Sequence, residues 1–286
     1  MLSKIQAERW RTLLPRTWWC AAKGLLRGAQ YGLRTFREVW GISLAGRLKW
    51  GSIRSFGKFK VETVDGTSFG VLRWHIIQRR YYDFETDNPA PVILDCGSNI
   101  GLSILRFKQL YPQALVTGFE PDPTIFPILK SNIERNHCTG VKLIQAALAG
   151  SNGSVSLLSD GERLSFVAHP VEPMPPGWHR FEVRSVNLAD YVDTGVDFMK
   201  MNIEGAERDV IIGLGPKVRQ IRQMVFEYHH RSGVHQSLHE TLDFLRRNGF
   251  EYVINSYAQF TNPRAHPPFG SGDNAHTLAV YARRIE

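Results

Sequence analysis

The strongest constraint on the fold comes from the part of the chain after residue 91, where short apolar runs alternate with helical segments. Strands are predicted at residues 92–94, 114–119, 141–148, 197–203, 223–228, 250–255 and 277–283. Helices are predicted between them at residues 100–110, 123–135, 206–212 and 237–248. Because strands joined through helices pair in parallel by right-handed crossovers, this order predicts an α/β fold with a largely parallel sheet covered on both faces.

Two regions depart from this rhythm. Residues 149–187 are rich in Gly and Pro and contain short β-like runs such as VSLL and FEVRSV, which predict a β-rich insertion. Before the first strand, the Asp65-Gly66 pair between FKVETV and SFGVLRW predicts a β-hairpin turn. A short helical stretch is expected at residues 74–84, followed by the breaker run Asn88-Pro89-Ala90-Pro91.

The net charge is divided unevenly along the chain. Residues 1–60 carry 13 Lys or Arg and two Asp or Glu, a formal charge of +11, whereas the remaining residues carry 22 and 25, a charge of −3. We therefore predict two parts: a basic, Trp/Arg-rich helical arm at residues 1–57 and a catalytic domain at residues 58–286. Three widely spaced cysteines argue against a disulfide framework and favour a reducing compartment, so the expected location is cytoplasmic.

The arm has apolar residues at helical spacing, from Trp18 to Trp40, interrupted by arginines and lysines. Its uncharged stretches are much shorter than the roughly 20 residues that span a bilayer. Three roles remain open: a helix packed on the catalytic domain, a helix lying on an anionic membrane surface, and a grip on nucleic acid phosphates. Of the last two, the membrane surface is favoured over nucleic acid.

The first predicted strand leads into the run Asp95-Cys96-Gly97-Ser98-Asn99-Ile100-Gly101. In open parallel sheets, ligands bind beyond the carboxyl ends of the strands. Asn99 and Leu102 stand where a dinucleotide fingerprint requires glycine, so a pyrophosphate cradle is not predicted. The run suits a ligand with an amino-acid tail: Asp95 would hold its ammonium or a water, and glycines at 97 and 101 would let the backbone approach it.

The next two predicted strands end in residues that complete a nucleoside site. Glu120, followed by Pro121, can accept hydrogen bonds from two ribose hydroxyls. Ala146 and Ala147 would leave room beside an adenine ring. Together with Gly97, Ser98, Asn99 and Gly101, these residues predict S-adenosylmethionine (SAM) as the cofactor.

These segments resemble the FkbM family of SAM-dependent methyltransferases, through ILDCGSNIG, FEPDP, NLADYV, FMKMNIEGAE and FEYH. The resemblance covers roughly residues 60–284 and leaves the arm outside. It implies the class I methyltransferase fold, a Rossmann-like α/β sheet of seven strands whose last strand is antiparallel. It also implies O-methylation, often of sugar hydroxyls in glycolipids, polysaccharides or natural products.

One departure from the family pattern is Asn202, where the family usually has Asp. An amide can hydrogen-bond to a ligand but cannot act as a base, so we assign the general base to His229, with Glu204 orienting the substrate or the histidine. No metal is predicted, although Asn202, Glu204, Glu227 and His229 could together surround a divalent cation.

The predicted function is methyl transfer from SAM to a hydroxyl of a sugar, glycolipid or related natural product, at a membrane surface. Two alternatives stay open: an RNA methyltransferase that uses the arm as its grip, and a SAM-binding protein that has lost catalysis through Asn202. Homo-oligomerisation is also left open by the sequence.

Overall fold

A computed structural model describes residues 51–64, 66–159, 165–167, 178–193, 195–231, 235–256 and 275–285. Residues 1–50 of the predicted arm lie outside the described residues, as do residues 160–164 and 168–177 of the insertion and residues 257–274. Within the described part, no helix combines the length and the apolar character needed to cross a membrane.

Thirteen strands are described. They are β1 (Ser52–Phe56), β2 (Phe59–Thr63), β3 (Val92–Cys96), β4 (Leu115–Phe119), β5 (Val141–Ile144), β6 (Ala147–Ala149), β7 (Gly153–Ser159), β8 (Ser165–Val167), β9 (His179–Asn187), β10 (Val196–Met201), β11 (Ile221–Arg231), β12 (Phe250–Ser256) and β13 (Ala275–Arg284). Seven of them form the central sheet in the order β12-β13-β11-β10-β3-β4-β5. The pairs from β11 to β5 are parallel, and β13 is antiparallel to both of its neighbours. This is the expected class I methyltransferase sheet.

The described helices are α1 (Gly66–Arg73), α2 (Leu102–Leu110), α3 (Phe126–Arg135), α4 (Glu207–Gly213) and α5 (Leu238–Arg247). A π-helical turn at Trp74–Gln78 and 3₁₀ turns at Leu188–Tyr191 and Gly215–Gln220 complete them. Successive strand residues enter different buried clusters: Ile93 belongs to one and Leu94 to the other. Side chains alternate between the faces of a strand, so an all-apolar strand is what a sheet covered on both faces requires.

The structure corrects two of the predicted elements. The hairpin turn lies at Gly57 and Lys58, between β1 and β2, and not at Asp65-Gly66. The segment SFGVLRW, predicted as the second strand of that hairpin, lies in helix α1 and the π-helical turn. The predicted strand 141–148 is divided, because β5 ends the central sheet and β6 pairs with β9 in a separate sheet.

The insertion is β-rich, as predicted. It contributes a four-stranded sheet in the order β6-β9-β7-β8, in which β7 is antiparallel to both β9 and β8. Its apolar residues Leu157, Leu158 and Val186 are buried. The insertion therefore forms most of a separate small sheet, which follows β5 in the chain.

The segment Ser52–Phe56, which the sequence analysis assigned to the end of the arm, is strand β1. Phe56 and Val61 of the hairpin are fully buried in the same cluster as helix α3 residues. Phe56, Phe59 and Val61 thus pack with the catalytic domain, and Phe59 and Val61 share one face of β2 because side chains alternate along a strand.

Candidate functional site

The carboxyl ends of β3, β4 and β10 are bonded directly to one another through the loop that follows β3. The backbone N–H groups of Gly97 and Ser98 donate to the carbonyl of Phe119, at 3.1 and 2.8 Å. The N–H of Asn202 donates to the carbonyl of Cys96 at 2.9 Å. This cofactor loop, residues 97–101, is therefore held between the tips of its two neighbouring strands, where the sheet topology places ligand sites.

Asp95 lies beneath the cofactor loop. Its side chain is fully buried, and its Oδ2 accepts a hydrogen bond of 2.6 Å from Ser103 Oγ. Its Oδ1 lies 3.3 Å from the ammonium of Lys200. Oδ1 accepts no hydrogen bond from the described residues, so contact of Asp95 with the ligand's ammonium or with a water stays a prediction.

Lys200, near the end of β10, is the counter-charge of Asp95. Its ammonium also donates to the carbonyls of Cys96 and Gly97, and it lies 5.5 Å from the centre of the Tyr82 ring. A buried ammonium needs such partners because leaving water costs several kcal/mol. Lys200 is therefore paired with a buried acid beneath the cofactor loop.

The glycines of the loop serve contacts within the protein. A Cβ at Gly97, where φ is +83°, would lie 1.8 Å from the carbonyl oxygen of Asn202. A Cβ at Gly101, where φ is +94°, would lie 2.8 Å from Leu129 Cδ1. Close approach of the residue after strand β10 and of helix α3 accounts for both glycines within the protein, and approach of the backbone to a ligand stays a prediction.

Glu120 follows β4 and is joined to the cofactor loop. Its Oε2 accepts a hydrogen bond of 2.8 Å from the N–H of Asn99, whose φ is +48°. Its Oε1 accepts one of 3.0 Å from the N–H of Asp122. Burial raises the pKa of Glu120 to about 7 although both hydrogen bonds oppose this. Each oxygen keeps a second lone pair for a ligand hydroxyl, so Glu120 fits its predicted role at a ribose.

The remaining predicted cofactor residues occupy the same edge with less direct roles. Ser98 is buried and donates through Oγ to the Asp95 carbonyl at 3.0 Å. Pro121 is partly exposed beside Glu120. Ala146 and Ala147 are both buried where the chain leaves β5 for β6. Contact between these alanines and an adenine ring stays a prediction.

Asn202, immediately after β10, carries a buried polar atom without a partner. Its Oδ1 is shielded from solvent and accepts no hydrogen bond from the described residues. Burying an amide oxygen unpaired is costly, and such atoms are commonly satisfied by a ligand or water. The Asn202 backbone adjoins Cys96 and Gly97, so its side chain is a candidate partner for a ligand that brings a hydroxyl or an ammonium to this edge.

The loop after Asn202 is turned sharply and held by Glu207. Glu204 has a φ of +57°, a conformation that non-glycine residues adopt at a cost of order 1 kcal/mol. The Glu207 carboxylate accepts hydrogen bonds from the N–H groups of Ile203 and Gly205, at 3.1 and 2.9 Å. Glu207 itself is buried, whereas the Glu204 side chain keeps 19% of its surface exposed.

His229, near the end of β11, lies between these two acids. Its Nε2 is 3.6 Å from Glu204 Oε1, and its Nδ1 is 3.3 Å from Glu207 Oε1. Burial alone would lower the pKa of His229, but the carboxylates of Glu204, Glu207 and Glu227 outweigh it and raise the pKa to about 9. The raised pKa favours the imidazolium at neutral pH, a form that has no lone pair to accept a proton, and the assignment of His229 as general base stays a prediction.

Tyr82 is a site residue that the sequence did not indicate. It lies in the predicted helical stretch before β3, is buried, and donates through its hydroxyl to Glu227 of β11. Its ring faces the Lys200 ammonium. Tyr82 thus connects the Asp95–Lys200 pair under the cofactor loop with the acids around His229. Because these segments are far apart in the chain, no local sequence pattern predicts the contact.

Within the described residues, no three His, Cys, Asp or Glu side chains are arranged to hold a metal ion. Of the four residues that the sequence suggested as alternative ligands, Glu204 is paired with His229, and Glu227 accepts a hydrogen bond from Tyr82. The prediction that the site uses no metal remains a prediction.

Comparison with known proteins gives the site its context. A family model described as the methyltransferase FkbM domain matches residues 95–252, more than half of the chain. Methyltransferase 1 of Beauveria bassiana is 29% identical over 154 residues, covering 46% of this chain and 62% of that protein. The 2-O-methyltransferase NoeI of Sinorhizobium fredii is 29% identical over 159 residues, covering 50% and 65%.

A third relative is the 31-O-demethyl-FK506 methyltransferase FkbM of Streptomyces tacrolimicus, which is 26% identical over 210 residues, covering 62% of this chain and 79% of that protein. The matched region begins at Asp95 and includes the cofactor loop, Glu120, the Glu204–Glu207 loop and His229. The chain thus belongs to the FkbM methyltransferase family, and it is a methyltransferase whose methyl donor is SAM.

Proposed function

We propose that the protein transfers a methyl group to a hydroxyl of a sugar, glycolipid or related natural product. The observation that carries the proposal is the carboxylate of Glu204, presented on a strained turn at the same sheet edge as the cofactor loop and paired with a charged His229. Two relatives support the choice of oxygen as acceptor, because their names describe O-methyltransferases.

The cofactor loop and Glu120 would hold SAM. Glu120 has the lone pairs to accept from two ribose hydroxyls, and it is positioned by the Asn99 N–H. Asn202 Oδ1 is the acceptor for a donor group of the cofactor or of the substrate. When bound, SAM supplies a methyl group attached to a positively charged sulfur.

The acceptor hydroxyl must lose its proton as the new C–O bond forms, and Glu204 is the group that takes it. Its side chain is the more exposed of the two acids beside His229. The backbone hydrogen bonds of Glu207 commit that acid to holding the turn. His229, kept protonated, fixes the Glu204 carboxylate by charge. Most of the remaining acceleration comes from alignment of the reacting atoms.

The test is transfer of a tritiated methyl group from SAM into fractionated glycan, lipid and RNA extracts, first with the unaltered protein. With the labelled fraction as substrate, Glu204→Gln is expected to lower kcat by about 10²-fold or more, because general base catalysis contributes on that order. SAM affinity should stay unchanged in calorimetry.

Glu134→Gln is the matched control, since Glu134 is an exposed acid on helix α3 whose contact is the exposed Lys130. Full activity of Glu204→Gln would refute Glu204 as the base. Label appearing only in RNA would replace the proposed acceptor with a nucleic acid. SAM binding without label in any fraction would favour a protein that has lost catalysis.

We also propose that the basic arm brings the enzyme to an anionic membrane surface. The support is the formal charge of +11 in residues 1–60, interleaved with tryptophans. A glycolipid acceptor and a membrane-bound enzyme would then meet at one surface.

A further inference from the structure

The β1–β2 hairpin is attached to the C-terminal end of helix α3 by two asparagine side chains. Each bonds to both the N–H and the carbonyl of one β2 residue, as a neighbouring strand would. Asn136 Oδ1 accepts from the N–H of Lys60 at 2.9 Å, and its Nδ2 donates to the Lys60 carbonyl at 2.8 Å. Asn132, one helical turn earlier, does the same with Glu62, at 2.7 and 3.0 Å. The two amides therefore grip alternate residues of β2.

Only one of the two asparagines also reaches the cofactor loop. Asn132 is fully buried, and its Nδ2 makes a second hydrogen bond of 2.9 Å to the carbonyl of Ile100. The second bond of Asn136 Nδ2 is to the Asn132 carbonyl, within helix α3. Asn132 and Asn136 thus hold strand β2 by the same two hydrogen bonds each, but only Asn132 also bonds to the cofactor loop.

The bond to Ile100 falls at a sensitive place. Ile100 lies between Asn99 and Gly101, which both have positive φ, at +48° and +94°. The Asn99 N–H in turn donates to Glu120. A path therefore runs from the backbone of β2 through Asn132 to the Ile100 carbonyl, along the peptide chain to Asn99, and by a hydrogen bond to the Glu120 carboxylate.

We propose that Asn132 is a positioning residue for SAM: it couples the β1–β2 hairpin to the cofactor loop and holds the loop in its binding conformation. The proposal rests on the cofactor site put forward above. If the loop is held less firmly, the binding-competent fraction falls, and the apparent SAM affinity falls in proportion.

The experiment compares Asn132→Asp with Asn136→Asp in the full chain. Each change keeps the oxygen that accepts from β2 and removes the two N–H donations. Asn132→Ser and Asn136→Ser form a second pair, for use if a buried carboxylate prevents folding. The readout is the SAM dissociation constant, measured by calorimetry at a temperature far below the unfolding midpoints, where a loss of global stability alone leaves the affinity unchanged.

The Asn132 change is expected to weaken SAM binding by about tenfold, since a lost hydrogen bond is worth up to about a factor of ten. The Asn136 change should weaken it less than about twofold. Equal weakening by both, or none by Asn132, would overturn the proposal. Glu120→Ala separates the two hypotheses: if it too leaves SAM affinity unchanged, the cofactor site is wrong, whereas a loss there with none at Asn132 refutes the coupling alone.

Discussion

Two cations at the catalytic edge lie in ion pairs with acids. Lys200 faces Asp95, and His229 faces Glu204 and Glu207. Removing such charges from water costs several kcal/mol each, which a nearby opposite charge offsets. A buried pair contributes little net stability but does fix the protonation states and positions of its members. The site can therefore hold a charged imidazolium next to Glu204, the proposed general base.

The raised pKa of His229 predicts a pH dependence of folding. The folded protein binds this proton up to about pH 9, and the unfolded chain only up to about 6.5, so stability is gained below 6.5 and lost as the pH rises through 9. This group should contribute about 3 kcal/mol at pH 6 and almost nothing at pH 10. Urea denaturation at several pH values between 6 and 10 gives the slope of the free energy of unfolding against pH. The contribution of His229 to this slope should be absent in His229→Gln.

His235→Gln is the control, because the His235 side chain is 72% exposed and its loss should leave the slope in place. An unchanged slope in His229→Gln would mean that the folded protein holds His229 neutral. That outcome would favour general base catalysis by this histidine.

At the scale of elements, the cofactor loop is built by the close approach of β3 and β10. The Asn202 N–H donates to the Cys96 carbonyl, and the Asn202 carbonyl fills the space where a side chain at Gly97 would begin. The catalytic turn after β10 and the loop after β3 are therefore one packed unit. A change in either should disturb both.

Gly97→Ala tests this unit. The added Cβ would meet a backbone oxygen at 1.8 Å, and alanine is disfavoured at a φ of +83°, so the free energy of unfolding should fall by about 3 kcal/mol. Gly150→Ala, where a Cβ meets no atom within 4 Å, should change it by less than about 0.5 kcal/mol. Chemical denaturation measures both, and near-equal values would contradict the packing described.

At the scale of the whole molecule, the charge of the arm is separated from the chemistry of the domain. The residues after 60 carry a net charge of −3. The SAM donor is itself positively charged, and the acids around His229 suit it. Attraction to an anionic surface therefore has to come from the first sixty residues.

Deleting residues 1–50 is expected to abolish sedimentation with vesicles of phosphatidylserine and phosphatidylcholine while leaving SAM affinity unchanged. The cut precedes β1, so the hairpin and its bonds to helix α3 are retained. Vesicles of phosphatidylcholine alone serve as the control. Equal sedimentation of the shortened and full chains with the anionic vesicles would remove the membrane proposal, and loss of SAM binding would show that the arm supports the domain.

Much of the fold could be predicted because its signals are local. The strands β3, β4, β10 and β11 are apolar runs that must be buried on both faces, and their order with the helices determines a parallel sheet. The hairpin prediction was wrong for a local reason as well. Asp65-Gly66 is a strong turn signal, but the turn lies at Gly57 and Lys58. Helix α1 begins at Gly66. Period-two and helical patterns are hard to separate in so short a segment.

The sequence by itself determined the methyltransferase fold and which residues lie at the strand tips, because burial and strand order follow from the apolar pattern. Only the tertiary structure decided which contacts each residue makes there. It pairs Asp95 with Lys200, packs Gly97 and Gly101 against neighbouring segments, and places His229 between two acids. It also brings Tyr82 and Asn132 to the site. These roles depend on contacts between segments far apart in the chain, and no local pattern encodes them.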